Sequence, residues 1–200
     1  MKKAVFIGIL LGVIAVVGIY IGFLRPQPEP LISTVVSTVY EQQVPTITSA
    51  PIVTLPIRLI IPKLGVDTVI EHVGLAPDDR MDVPKNADQV AWYNLGPKPG
   101  EAGSAVIAGH LDKPGGTPAV FYRLNELQSG DELIIMSQDM TQQTFRVVNT
   151  EVFDDATFPI DLVFGGTERR MLNLITCAGT FNRDTRLYSD RTVVFTEAIN

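Results

Sequence analysis

One cysteine and two histidines supply all the thiol and imidazole in this 200-residue chain. Cys177 follows the apolar run 171–175, with the small polar Thr176 between, and precedes Gly, Asn, Arg and Asp residues that read as a loop. A thiol at a strand end facing a loop stands where catalytic groups often lie. Such a thiol attacks only as the thiolate, so it needs a base or a cation nearby. His110 ends a comparable run, Ala105-Val106-Ile107-Ala108-Gly109, and a lone Cys with a His elsewhere in the chain is a candidate nucleophile–base pair. An acyl oxyanion would need a donor as well. Arg191, fourteen positions after Cys177, can return on a neighbouring strand to supply it. The competing reading of Cys177 is a small buried hydrophobe.

Other residues rank behind these three. His72 lies within the alternating stretch 66–73 with no motif around it, and is expected at the surface or the core edge. Asp112 lies two positions after His110. On an extended segment it would face the same side, able to orient the imidazole or to accept from substrate; a plain turn role in Leu111-Asp112-Lys113-Pro114-Gly115 is the alternative. Arg183 and Arg186 compete with Arg191, but only Arg191 directly precedes the strand-like Thr192-Val193-Val194-Phe195. Its planar guanidinium stays charged at any relevant pH and can hold an oxyanion or a peptide carbonyl.

Taken together, Ala108-Gly109-His110, Leu174-Ile175-Thr176-Cys177 and Arg191 before Val193-Val194-Phe195 resemble the catalytic segments of the sortases, the membrane-anchored cysteine transpeptidases of bacterial surfaces. Residues 57–66, Trp92-Tyr93, 96–100 and 119–124 look most like class F sortases, and the resemblance covers roughly residues 55–198. It implies a closed barrel of about eight strands, with Cys177, His110 and Arg191 catalytic and Thr176, Ala108 and Asp112 lining the substrate groove. It also implies surface-protein substrates bearing an LPxTG-like signal cut between Thr and Gly, and a cell-wall precursor amine as acceptor. No cofactor is expected. Some sortases use calcium, but the only acids in 151–161 are Glu151, Asp154, Asp155 and Asp161, and no metal is expected there. Two alternatives remain. Another extracytoplasmic Cys-His acyl transferase, such as an L,D-transpeptidase, would place a His-Gly-Cys-like segment at the nucleophile, where this chain has Leu-Ile-Thr. A non-catalytic, membrane-tethered β-barrel binding module would need none of the three residues, yet all are present.

The elements that must position these groups are short. Strands are expected at 57–61, 66–73, 81–84, 104–109, 132–137, 144–153, 171–176 and 192–196, a helical turn early in 86–93, and a short helix over 120–127. Many short strands with few helices read as mostly β, closed or sandwiched. No Cys/His cluster has zinc spacing, a single cysteine excludes an internal disulfide, and the net charge of -6 carries no nucleic-acid footprint.

Ahead of the domain, residues 4–24 carry no charge and follow Lys2 and Lys3. About 20 such residues span a bilayer core as a helix. The run is longer than a signal-peptide core and lacks an Ala-x-Ala end, so it reads as an uncleaved signal anchor with a cytoplasmic N-terminus. The catalytic domain would then lie on the extracytoplasmic face of the cell membrane, on a single pass. Residues 25–54, with five prolines and many Ser and Thr, read as a semi-rigid linker, leaving 55–200 as the catalytic domain.

Overall fold

In the computed structural model, which describes residues 53–199, eight strands close into a barrel. They are β1 (Pro56–Ile61), β2 (Val66–Val73), β3 (Val90–Tyr93), β4 (Gly103–Gly109), β5 (Glu132–Ser137), β6 (Gln142–Asp154), β7 (Arg170–Asn182) and β8 (Leu187–Ala198). The order around the barrel is β1-β2-β3-β4-β7-β8-β6-β5, with β2/β3 and β4/β7 parallel and the other pairs antiparallel. The expected signal anchor at 1–24 and all but the last two residues of the linker lie outside the described residues. Among the described residues, no helix is long and apolar enough to cross a membrane.

Alternation along each strand sorts the side chains between two apolar layers. Leu59, Ile61, Trp92, Ile107, Leu133, Phe145, Leu172, Leu174 and Val194 fill the barrel interior. On the outer face of β4, β7 and β8 a second cluster forms from Val106, Ile175, Val193 and Phe195 with Val163, Phe153 and Phe158. These three strands are therefore buried on both faces, which explains their near-continuous apolar runs in the sequence. Each such buried side chain contributes about 1.5–3 kcal/mol. The outer cover includes a one-and-a-half-turn helix, α1 (Ile160–Phe164), which sequence reading did not find. Asn173, the polar break in the β7 run, is buried, and its Nδ2 donates to the Val163 carbonyl at 2.7 Å, tying α1 to the sheet.

Several sequence expectations change. Segment 81–84 forms no strand; the Ala76 N–H donates to the Arg80 carbonyl, Asp79 takes a positive φ, and only an isolated bridge joins Leu75 to Met81. Asn86 starts a turn by accepting from the Asp88 N–H at 2.9 Å, but the chain then enters β3 rather than a helix. The expected helix over 120–127 contracts to a 3₁₀ turn, Leu124–Glu126. Phe121, Leu124 and Leu127, all buried, repeat every three residues, which is the 3₁₀ period. The loop expected after Cys177 is mostly strand: β7 runs on to Asn182 and β8 begins at Leu187, joined by a short turn.

Candidate active site

Cys177 lies within β7, directly opposite Arg191 of β8. Residues facing one another in an antiparallel ladder project to the same side, with Cβ atoms about 5 Å apart. On the other flank, β4 runs parallel to β7 with Ala108 beside Ile175. Two residues further along each chain come His110, just past the end of β4, and Cys177. The parallel β4/β7 pairing and the antiparallel β7/β8 pairing thus put the three predicted residues on, or next to the end of, one row of adjacent strands. Alternation puts Cys177 on the face of Ile175, above the outer apolar cluster.

Gly109 permits this placement of His110. A Cβ at Gly109 would stand 2.5 Å from Cδ2 of the fully buried Phe121, so only glycine lets the Phe121 ring close the barrel there. Beyond it, the His110 ring is tethered by Nε2, 2.9 Å from the Pro84 carbonyl oxygen. A carbonyl can only accept, so Nε2 carries the hydrogen and Nδ1 is left as the proton-transfer atom of the neutral ring.

Arg191 is held more firmly. Its Nη1 donates to the carbonyls of Asp190 at 2.8 Å and Tyr188 at 3.2 Å. Its Nη2 lies 2.9 Å from Asp155 Oδ1. Among the described contacts, Nε–H and the second Nη2–H stay uncommitted. Asp112, half-buried, accepts from the Tyr188 hydroxyl at 2.5 Å. That hydrogen bond, followed by burial and the Asp112 charge, pushes the Tyr188 phenol up to about 12.

The Cys177 thiol is raised above its ordinary value, and burial is the main cause. Arg191 and Arg80 pull it down, while Asp112 and Asp155 push it up. Burial is the largest of these influences, and the net effect favours the protonated thiol over the thiolate.

Ala108 shares the Cys177 face through Val106, and it is half-buried. Thr176 does not share it. It is buried, opposite Thr192, on the face of Leu172 and Leu174, and so points into the barrel rather than beside the thiol. Its Oγ1 has no hydrogen-bond partner. His72 is exposed, stacks edge-on against Trp92 at 5.3 Å, and bonds the Pro56 carbonyl at 2.8 Å, remote in the sheet from the row. Trp92 is core. Arg183 and Arg186 are exposed at the β7–β8 turn. Of the acids in 151–161, Asp155 faces two arginines and Asp154 caps the 3₁₀ turn Asp155–Thr157 through the Ala156 N–H. Among the described residues no acidic or His/Cys group could hold a metal ion. Sequence reasoning missed Tyr188, Arg80 and the Pro84 carbonyl as members of the site, since no local pattern marks them.

Residues 59–199 match the Sortase domain family. The fold resembles sortase C-1 from Actinomyces oris (formerly Actinomyces naeslundii), at 22% identity and TM-score 0.56, over 72% of this chain and 73% of that one. It also resembles the Sortase D5 transpeptidase of Clostridium perfringens, at 25% identity and TM-score 0.54, over 72% and 79%. Sortase A from Corynebacterium diphtheriae is similar at 18% identity and TM-score 0.57, over 73% of this chain and 61% of that one. No curated protein matches the sequence.

Proposed function

Because the chain belongs to the sortase family of cysteine transpeptidases, we propose that Cys177, His110 and Arg191 perform its acyl transfer, on a class F-like scaffold. The observation that supports this reading is the strand pairing: a half-buried thiol with an arginine opposite it on β8, and on the other flank β4, which ends just before His110. The carbonyl attacked is that of the Thr-Gly bond in an LPxTG-like sorting signal.

The steps follow from the groups. His110 Nδ1 takes the thiol proton, and the thiolate sulfur bonds to the threonine carbonyl carbon. The oxygen gains negative charge, and the uncommitted Arg191 N–H donors receive it. Collapse breaks the C–N bond, and His110 returns the proton to the leaving glycine amine. A thioester on Cys177 remains. A cell-wall precursor amine resolves it to a new amide, and water resolves it to the free acid. Asp112 and Ala108 border the groove in this reading.

The same reading anchors the protein by residues 4–24, with Lys2 and Lys3 on the cytoplasmic side and the barrel outside the cell membrane. The uncharged length of that run supports it.

A library of LPxTG-like peptides, with mass spectrometry of the intact protein, tests the proposal. The expected result is a mass adduct on Cys177 that disappears when a glycine-type amine is added and never forms on Cys177→Ala. Peptide cleavage by folded Cys177→Ala at the wild-type rate would overturn it.

A further inference from the structure

We propose that Asp155 is a positioning residue for Arg191, locked in turn by Arg80. The inference rests on Arg191 being the oxyanion donor. One carboxylate oxygen of Asp155 lies 2.9 Å from Arg191 Nη2 and 3.1 Å from Arg80 Nη2. The arginine side chains differ in environment: Arg191 is 12% exposed, Asp155 23%, and Arg80 46%. The inner half of the bridge is thus sheltered from solvent screening, unlike a surface ion pair. Without the shared carboxylate, two guanidinium groups would face each other with no counter-charge between them.

Asp155 is well placed to act as a fixed post. It begins the 3₁₀ turn capped by Asp154, whose Oδ1 accepts from the Ala156 N–H at 2.8 Å. Phe153 and Phe158 anchor that turn on either side in the outer apolar cluster, their rings meeting edge-on at 6.1 Å. Phe153 also pairs directly with Arg191 across β6 and β8. A long, mobile side chain gains most from such a post, because its orientation is then fixed before the reaction rather than during it.

The bridge also joins the two flanks of the site. Arg80 belongs to the segment 74–84, whose Pro84 carbonyl holds His110. From His110 the path runs to Asp112, to the Tyr188 hydroxyl, from the Tyr188 carbonyl to Arg191, then to Asp155 and Arg80. Chain connectivity and polar contacts together thus link the His110 side of the site to the Arg191 side. Among these contacts, Asp155 is the one that meets Arg191 by charge.

The experiment compares full-length wild type with Asp155→Asn, Asp155→Glu and Arg80→Gln. NMR of the arginine side chains reads restricted Nη rotation without any substrate. Arg191 should be restricted in wild type and averaged in Asp155→Asn. Single-turnover acylation by a sorting peptide should lose up to about 10²-fold in kcat in Asp155→Asn, with KM little changed. Asp155→Glu should restore part of this, and Arg80→Gln should lose less. In an Arg191→Lys background the Asp155→Asn loss should largely vanish, because both changes act on one contact. A guanidinium equally free in wild type and Asp155→Asn overturns the proposal. So does an unchanged or raised kcat, which would mean that the bridge is idle or holds Arg191 back. If no peptide acylates wild type, the acyl-transfer reading fails, and the rotation measurement still decides the clamp.

Discussion

Cys177 and Arg191 face each other across the β7–β8 ladder, so the thiol and the cation beside it are set by strand register rather than by loop conformation. Their separation is consequently as fixed as the ladder itself. A register slip of one residue would turn Cys177 to the barrel interior and remove it from the site.

Replacing Arg191 by Lys is expected to be far from conservative. Lysine keeps the charge but loses the planar fork that reaches the Tyr188 and Asp190 carbonyls and Asp155 while leaving donors free. Single-turnover acylation should fall by about 10²–10³. Arg183→Lys and Arg186→Lys, at the exposed turn, should stay within about 0.5 kcal/mol of wild type. A larger loss at either turn position than at Arg191 would refute the register of the third residue.

His110→Ala should lower kcat/KM by about 10²–10⁴, the range for a general acid–base group. His72→Ala removes an edge-on contact with Trp92, worth about 0.5–1.5 kcal/mol of stability, and should leave turnover nearly intact. Steady-state kinetics and thermal melts of both variants separate the two effects. Equal kinetic losses would sink the assignment.

The rate of Cys177 alkylation by iodoacetamide should rise with pH through a midpoint above the free-cysteine value of about 8.5, because burial favours the protonated thiol. The neighbouring charges give opposite signs. Asp112→Asn removes an anion and should move the midpoint down; Arg191→Gln removes a cation and should move it up. Shifts in one common direction would contradict the electrostatic picture.

Gly109→Ala should destabilise the barrel by about 1–3 kcal/mol, since the new methyl meets the Phe121 ring at 2.5 Å. For a chain of this size, each 1 kcal/mol lowers Tm by about 2–4 °C. Combining it with Phe121→Leu, which vacates the clash, should cost less than the sum of the two single changes. Additive losses in calorimetry would show that the ring does not oppose the methyl.

The sequence alone singled out Cys177, His110 and Arg191 as candidates, because each carries a local signature: a lone thiol after an apolar run, a Gly-His strand end, an arginine before an apolar strand. Short apolar or alternating runs likewise showed β1, β2, β5 and the cores of β4, β6, β7 and β8, since such runs are a short-range property. The tertiary structure decided what those signatures cannot hold. It made the sequence after Cys177 a strand extension, turned Thr176 inward, and replaced two expected local elements at 81–84 and 120–127. Tyr188 with Asp112, and Arg80 with Asp155, are 76 and 75 residues apart. Such pairs leave no periodic trace in the chain. They arise only when barrel closure sets β4, β7, β8 and β6 side by side, and that order follows from burying two apolar layers at once, a property of the whole fold rather than of any one segment.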